Sequence, residues 1–73
     1  MPLTLLLNGT SRTFDRLSDT ATLNEVVAEL GLQADRVAVE WNGEIVARTA
    51  WPTSMVSPGD KLEIVHFVGG GAL

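Results

Sequence analysis

The sequence predicts an α+β fold in which a mixed β-sheet packs on one helix. Three observations predict it. Two Asn-Gly pairs, Asn8-Gly9 and Asn42-Gly43, each sit between short runs of strand character, as hairpin turns do. One amphipathic segment, opening at Thr22, separates the two hairpins. A last apolar run, Lys61 to Val68, follows the strong turn Ser57-Pro58-Gly59-Asp60.

Taken in order, Leu3 to Leu7 is a compact apolar strand that ends at Asn8-Gly9. Thr10 to Asp15 returns antiparallel, and its polar content leaves one face to solvent. Thr22 with Glu25 three residues on makes a capping box. Leu23, Val26, Val27 and Leu30 then form one apolar stripe, and Gly31 stops the helix. Arg36 to Trp41 is the third strand, with Val37, Val39 and Trp41 on one face. Glu44 to Ala47 is the fourth. Arg48 to Val56 is irregular, with a helical turn around Thr49-Ala50-Trp51. The last strand, Lys61 to Val68, is expected in the middle of the sheet beside the first, because the long crossover through the helix permits parallel pairing. That arrangement is the β-grasp. The expected division is a domain over 1–68 and a glycine-rich tail over 69–73.

Composition narrows the chemistry. The chain has 73 residues, 45% hydrophobic and 19% charged, enough for one small folded core. It has no Cys, so it has no disulfide, thiolate metal site or cysteine nucleophile of its own. With a single histidine, His66, a multi-histidine metal site is excluded. His66 in a strand reads as structural or interfacial. No P-loop, G-x-S-x-G or zinc spacing is present, and the acidic side chains are dispersed. Met1-Pro2-Leu3-Thr4-Leu5 has no basic segment before its apolar stretch and reads as a strand, not a secretion signal. The expected location is cytoplasmic. Net charge is −4, with Arg12, Arg16, Arg36, Arg48 and Lys61 scattered, which argues against nucleic acid or an anionic membrane as partner. A basic protein partner suits this balance better.

The unusual feature is the end of the chain. Leu62-Glu63-Ile64-Val65-His66-Phe67-Val68 runs directly into Gly69-Gly70-Gly71-Ala72-Leu73. Glycine has no Cβ, so this backbone can enter a channel too narrow for side chains. From Phe67 to Gly71 the extended reach is about 13–14 Å. Strand alternation puts Leu62, Ile64 and His66 on one face and Glu63, Val65 and Phe67 on the other. With Leu62 and Ile64 facing the helix, Val65 and Phe67 are exposed beside the tail and read as a docking patch. The competing reading is that the loop over 48–56 folds across them.

Two segments carry a family resemblance. Trp41-Asn42-Gly43-Glu44-Ile45-Val46-Ala47-Arg48-Thr49-Ala50-Trp51 resembles the ThiS pattern N-G-E-x-V-x-R-x-x-W. Ser57-Pro58-Gly59-Asp60-Lys61-Leu62-Glu63-Ile64-Val65-His66-Phe67-Val68-Gly69-Gly70-Gly71 resembles its ending, G-D-x-(I/L/V)-E-I-V-H-F-V-G-G-G. Length and element order resemble the family over nearly the whole chain. The resemblance implies a ubiquitin-like sulfur carrier of thiamine thiazole biosynthesis, not an enzyme, with no cofactor bound. An E1-like adenylyltransferase, using ATP and Mg, would activate the C-terminal glycine carboxylate. A persulfide derived from a cysteine desulfurase would convert it to a thiocarboxylate, and thiazole synthase would take the sulfur. The implied reaction site is Gly71 with Gly70 before it, and Val65, Phe67, Val68 and Gly69 form the implied docking segment.

The chain departs from the family pattern at Ala47, where Pro usually precedes the Arg, and at Ala72-Leu73, which follow the terminal glycine. The favoured resolution of the second is that a peptidase trims the last two residues. Alternatives within the fold are a carrier for molybdopterin or another sulfur-incorporating pathway, and a ubiquitin-like protein modifier.

Overall fold

A computed structural model describes residues 2–67. The first strand, β1 (Leu3–Leu7), pairs antiparallel with β2 (Thr10–Phe14) across the Asn8-Gly9 turn. Helix α1 (Leu23–Glu29) follows, then a 3-10 turn at Ala34–Arg36. Strands β3 (Val37–Trp41) and β4 (Glu44–Val46) form the second hairpin, across Asn42-Gly43. A 3-10 segment, Arg48–Thr53, leads on to β5 (Lys61–His66). The sheet order is β2-β1-β5-β3-β4, with β5 parallel to β1 and antiparallel to β3. The last strand therefore lies at the centre, as the crossover argument requires.

Local chemistry explains the elements. At the helix start, the Thr22 hydroxyl accepts from the Glu25 N–H at 3.2 Å and Glu25 Oε1 accepts from the Thr22 N–H at 2.8 Å, a complete capping box. At the helix end, the Gly31 N–H donates to Ala28 and the Leu32 N–H to Val27, both at backbone carbonyls. This two-bond stop needs a left-handed residue at position 31, and Gly31 has φ +75°.

The core is the seam between α1 and one face of the sheet. Leu23, Val26 and Val27 from the helix are buried with Leu3, Leu5, Phe14, Val37, Val39, Leu62 and Ile64 from the strands. Leu30 is only partly buried, packed on the edge of this cluster. Trp51 is also buried, and its indole N–H donates to the Val46 carbonyl at 3.0 Å.

The strand ends are shorter than the sequence suggests. β2 stops at Phe14 rather than Asp15, because the Leu17 N–H bonds back to the Phe14 carbonyl and turns the chain. β3 begins at Val37 rather than Arg36, whose N–H closes a 3-10 turn on the Gln33 carbonyl. β4 ends at Val46 rather than Ala47, where the chain enters the 3-10 segment. β5 is regular only to His66; the expected end at Val68 lies outside the described residues.

Candidate functional site

β5 delivers the chain to its C-terminal segment, and it is held along both edges. On one side the β3 register runs Trp41↔Leu62, Glu40↔Glu63, Val39↔Ile64, Ala38↔Val65 and Val37↔His66. The Phe67 N–H extends this ladder, donating to the Arg36 carbonyl at 2.9 Å. On the other side β1 pairs only through Leu6↔Lys61 and Leu7↔Leu62 before it turns away. Asn8 takes over at that point. Its N–H donates to the Leu62 carbonyl at 2.8 Å. Its side-chain Oδ1 accepts from the Ile64 N–H at 2.7 Å, and its Nδ2 donates to the Ile64 carbonyl at 3.3 Å. One amide side chain thus replaces a residue of missing strand.

The strand's phase sets what it shows to solvent. Leu62 and Ile64 are buried against the helix, while Val65 and Phe67 are 59% and 55% exposed. The expected docking pair is therefore open. The loop over 48–56 does not cover it: the Leu23 N–H donates to Ser54 and the Val56 N–H to Ala21, which ties that loop to the start of α1 instead. His66, expected on the face of Leu62 and Ile64, is exposed at the end of β5 opposite Val37.

An open groove of about 410 Å³ adjoins Phe67, lined also by Val37, Ala38, Ile45, Val46 and Arg48. It opens where β4 ends early and the chain swings into the 3-10 segment. Ile45, 75% exposed on its rim, extends the apolar surface. Ile45 was not among the residues expected to dock. The signal for it was present, since alternation along β4 forces one of Ile45 and Val46 outward.

A second link fixes the turn before β5. Asp60 Oδ2 accepts from the Trp41 indole N–H at 2.9 Å and from the Ser57 N–H at 2.8 Å. Partial burial acts to raise the Asp60 pKa. The hydrogen bonds from Ser57, Trp41 and Asn42 outweigh it and hold the carboxyl below its ordinary value. Asn42 Oδ1 in turn accepts from the Lys61 N–H at 2.9 Å, so the β3–β4 turn clasps the first residue of β5.

Val68, Gly69, Gly70 and Gly71, expected to continue the docking segment and carry the reaction, lie outside the described residues. Among the described residues no group of three or more His, Cys, Asp or Glu is placed to hold a metal ion, and no charged or polar residue is buried. No helix among them is long and apolar enough to cross a membrane.

Fold and surface together define a ubiquitin-like β-grasp protein whose central last strand carries an exposed apolar pair. The ThiS family model matches residues 5–71, and the chain belongs to that family. The sulfur carrier protein ThiS of Bacillus subtilis is 37% identical over 67 residues, which cover 92% of this chain and 98% of that one. The crystal structure of a thiamine biosynthesis protein (ThiS) from Geobacter metallireducens superposes with a TM-score of 0.80 at 36% identity, covering 94% of this chain and all of that one. A thiazole synthase from Paramagnetospirillum magneticum is 44% identical over 68 residues, or 93% of this chain. The chain spans only 20% of that synthase's length, and 15% of a second one from Magnetococcus marinus.

Proposed function

We propose that this chain is a sulfur carrier in the thiazole branch of thiamine biosynthesis, with the backbone carboxylate of Gly71 as its reacting group. The observation that carries the reading is the ThiS match running through residue 71, which takes in all three glycines of the tail and stops before Ala72 and Leu73. The Bacillus relative bears the name of a sulfur carrier. In two other relatives the matching segment lies inside a thiazole synthase, which supports that enzyme as the sulfur acceptor here.

The chemistry follows from a carboxylate that is a poor electrophile until activated. An E1-like adenylyltransferase with ATP and Mg lets the Gly71 carboxylate attack the α-phosphorus, and pyrophosphate leaves. A persulfide sulfur, supplied through a cysteine desulfurase, attacks the acyl carbon and expels AMP. A thiol then attacks the persulfide's own cysteine sulfur in the acyl disulfide, forming a new disulfide with it and releasing the thiocarboxylate. The folded domain contributes docking through Val65 and Phe67, and the enzymes contribute the acid, base and nucleophile. A peptidase removes Ala72 and Leu73 first, because adenylation needs reacting atoms about 3–3.5 Å apart. Two further residues set the carboxylate about 7 Å beyond that point.

The test is ATP–pyrophosphate exchange by the cognate adenylyltransferase on chains ending at Gly71 and at Leu73. Exchange is expected with the first and little with the second. After sulfur transfer, intact mass should rise by one oxygen-to-sulfur exchange. Equal exchange rates would show that Ala72 and Leu73 are no obstacle. Exchange only with the longer chain would remove Gly71 from the mechanism.

A further inference from the structure

The solvent face of the β3–β5 pair carries a feature that docking through Val65 and Phe67 does not explain. The register sets Glu40 directly opposite Glu63. Opposed residues on one face have Cβ atoms about 4.5–5.5 Å apart, and like charges there oppose strand pairing. The pair sits at the centre of the sheet, where packing holds both backbones in place. Elsewhere on the same face the sheet uses a complementary pair: Thr4 stands opposite Thr13, and their hydroxyls are hydrogen bonded at 2.9 Å. One cation, Lys61, lies two positions before Glu63 on the same face of β5, against the two carboxylates.

Apart from Lys61, and Arg48 in the groove beside Phe67, the surroundings are apolar and open. The next pair toward the end of β5 is Ala38 opposite Val65, followed by exposed Phe67. On the other flank Ile45 stands opposite Glu40. The two carboxylates thus lie at the edge of the apolar surface and continue it.

We infer that this sheet face docks a protein partner that places an arginine side chain between Glu40 and Glu63 while an apolar side chain seats against Val65, Phe67 and Ile45. The inference rests on the docking role proposed above and names its chemistry. A planar guanidinium can bridge two carboxylates through parallel N–H donors. It also removes the repulsion that the free protein carries, so binding gains what folding has forgone. The chain's net charge of −4 steers a basic partner toward it. A second copy of this chain does not fit, because face-to-face pairing would bring four carboxylates together.

The experiment measures binding of the full chain to the cognate adenylyltransferase and thiazole synthase by titration calorimetry, at low and high salt. The variants are E40Q, E63Q, the double E40Q/E63Q, and F67A. Thermal melts accompany each one. For the double variant we expect the melting temperature to hold or rise while affinity for at least one enzyme falls about tenfold or more and its salt dependence flattens. A merely solvated acidic face would not lose affinity while keeping stability. Unchanged or tighter binding of E40Q/E63Q to both enzymes overturns the inference. If F67A still weakens binding in that case, the docking role of Phe67 stands without the arginine. If neither variant weakens binding, both readings fall. Sedimentation of the free protein as a dimer at assay concentration would also overturn the inference, in favour of a second copy.

Discussion

Asn8 offers the sharpest test of how the last strand is held. Its side chain makes two hydrogen bonds to the Ile64 backbone, at 2.7 and 3.3 Å, and its own backbone is left-handed at φ +49°. The two contributions can be separated. Asn8→Gly keeps the turn's preferred backbone and deletes both bonds. At a net worth of about 0.5–1.5 kcal/mol each, the shorter bond counting for more, the loss is about 1–2 kcal/mol. Asn8→Ala deletes the same bonds and adds a left-handed penalty of about 1–2 kcal/mol, for a total of about 2–4 kcal/mol. Urea unfolding at fixed pH measures both. In a domain of this size each 1 kcal/mol shifts the melting temperature by about 4–8 °C, so the two variants are readily told apart. The Ile64 amide should also exchange faster with solvent in both, because it has lost its acceptor. If Asn8→Gly is as stable as the parent and Ile64 stays protected, the amide bridge contributes nothing. If Asn8→Ala equals Asn8→Gly, the left-handed backbone is not the cost assigned to it.

Further outcomes follow from the same structure. Val26 is fully buried between helix and sheet, so Val26→Ala should cost about 1–4 kcal/mol in urea unfolding. Phe67→Ala removes an exposed ring and should change stability by less than about 0.5 kcal/mol, while calorimetric affinity for the adenylyltransferase falls. Asp60 has a lowered folded pKa, so its contribution is complete above the ordinary carboxylate value of about 3.9 and is lost as pH falls through the folded value. Asp60→Asn should therefore be less stable than the parent at neutral pH by about 1–2 kcal/mol, and thermal melts should show the gap narrowing below about pH 4. In the chain shortened to end at Gly71, Gly71→Ala should slow sulfur transfer with no change in melting temperature.

What the sequence disclosed follows the range of the interactions involved. The Thr22–Glu25 capping box, the Gly31 stop and the two Asn-Gly turns are local, and all lie where their residues put them. The central place of β5 was legible too, since a crossover through one helix leaves few other sites for a parallel strand. Its phase followed from two apolar residues, Leu62 and Ile64, and that exposed Val65 and Phe67. The strand ends were not legible, because the backbone bonds that stop β2 and delay β3 come from flanking residues with no turn signature. The bridge from Asn8 to Ile64 was hidden for a different reason. The partners are 56 residues apart, and Asn8 already had a sufficient local role in its turn. Asp60 likewise has a sufficient local role in its turn, while its bond to Trp41 spans 19 positions.

These hidden contacts bear on how a protein this small could act as a carrier. In the proposed mechanism the body docks while the carboxylate reaches a fixed point, so the link between the two must have a defined start. β5 has no residue to spare in the core: Leu62 and Ile64 fill it, and Val65 and Phe67 face outward from the same six-residue stretch, Leu62 to Phe67. A strand whose β1 edge was unpaired beyond Leu62 would fray from its C-terminal end, where the exposed pair proposed to dock lies. The Asn8 amide closes that edge at Ile64, and the Arg36 carbonyl closes the other at Phe67. The Asn42 side chain secures Lys61, the strand's first residue, and the Asp60 bonds to Trp41 and Ser57 fix the turn just before it. Side-chain amides thus hold β5 at Ile64, where pairing with β1 has run out, and at Lys61, where the strand begins. On this reasoning, Asn8→Gly should weaken adenylyltransferase binding as well as the fold, although Asn8 need not touch the enzyme. Adding back stability by a distant core substitution would restore the melting temperature but not the binding. Recovery of both together would show that the loss was only a smaller folded population and that the bridge has no separate part in positioning Val65 and Phe67.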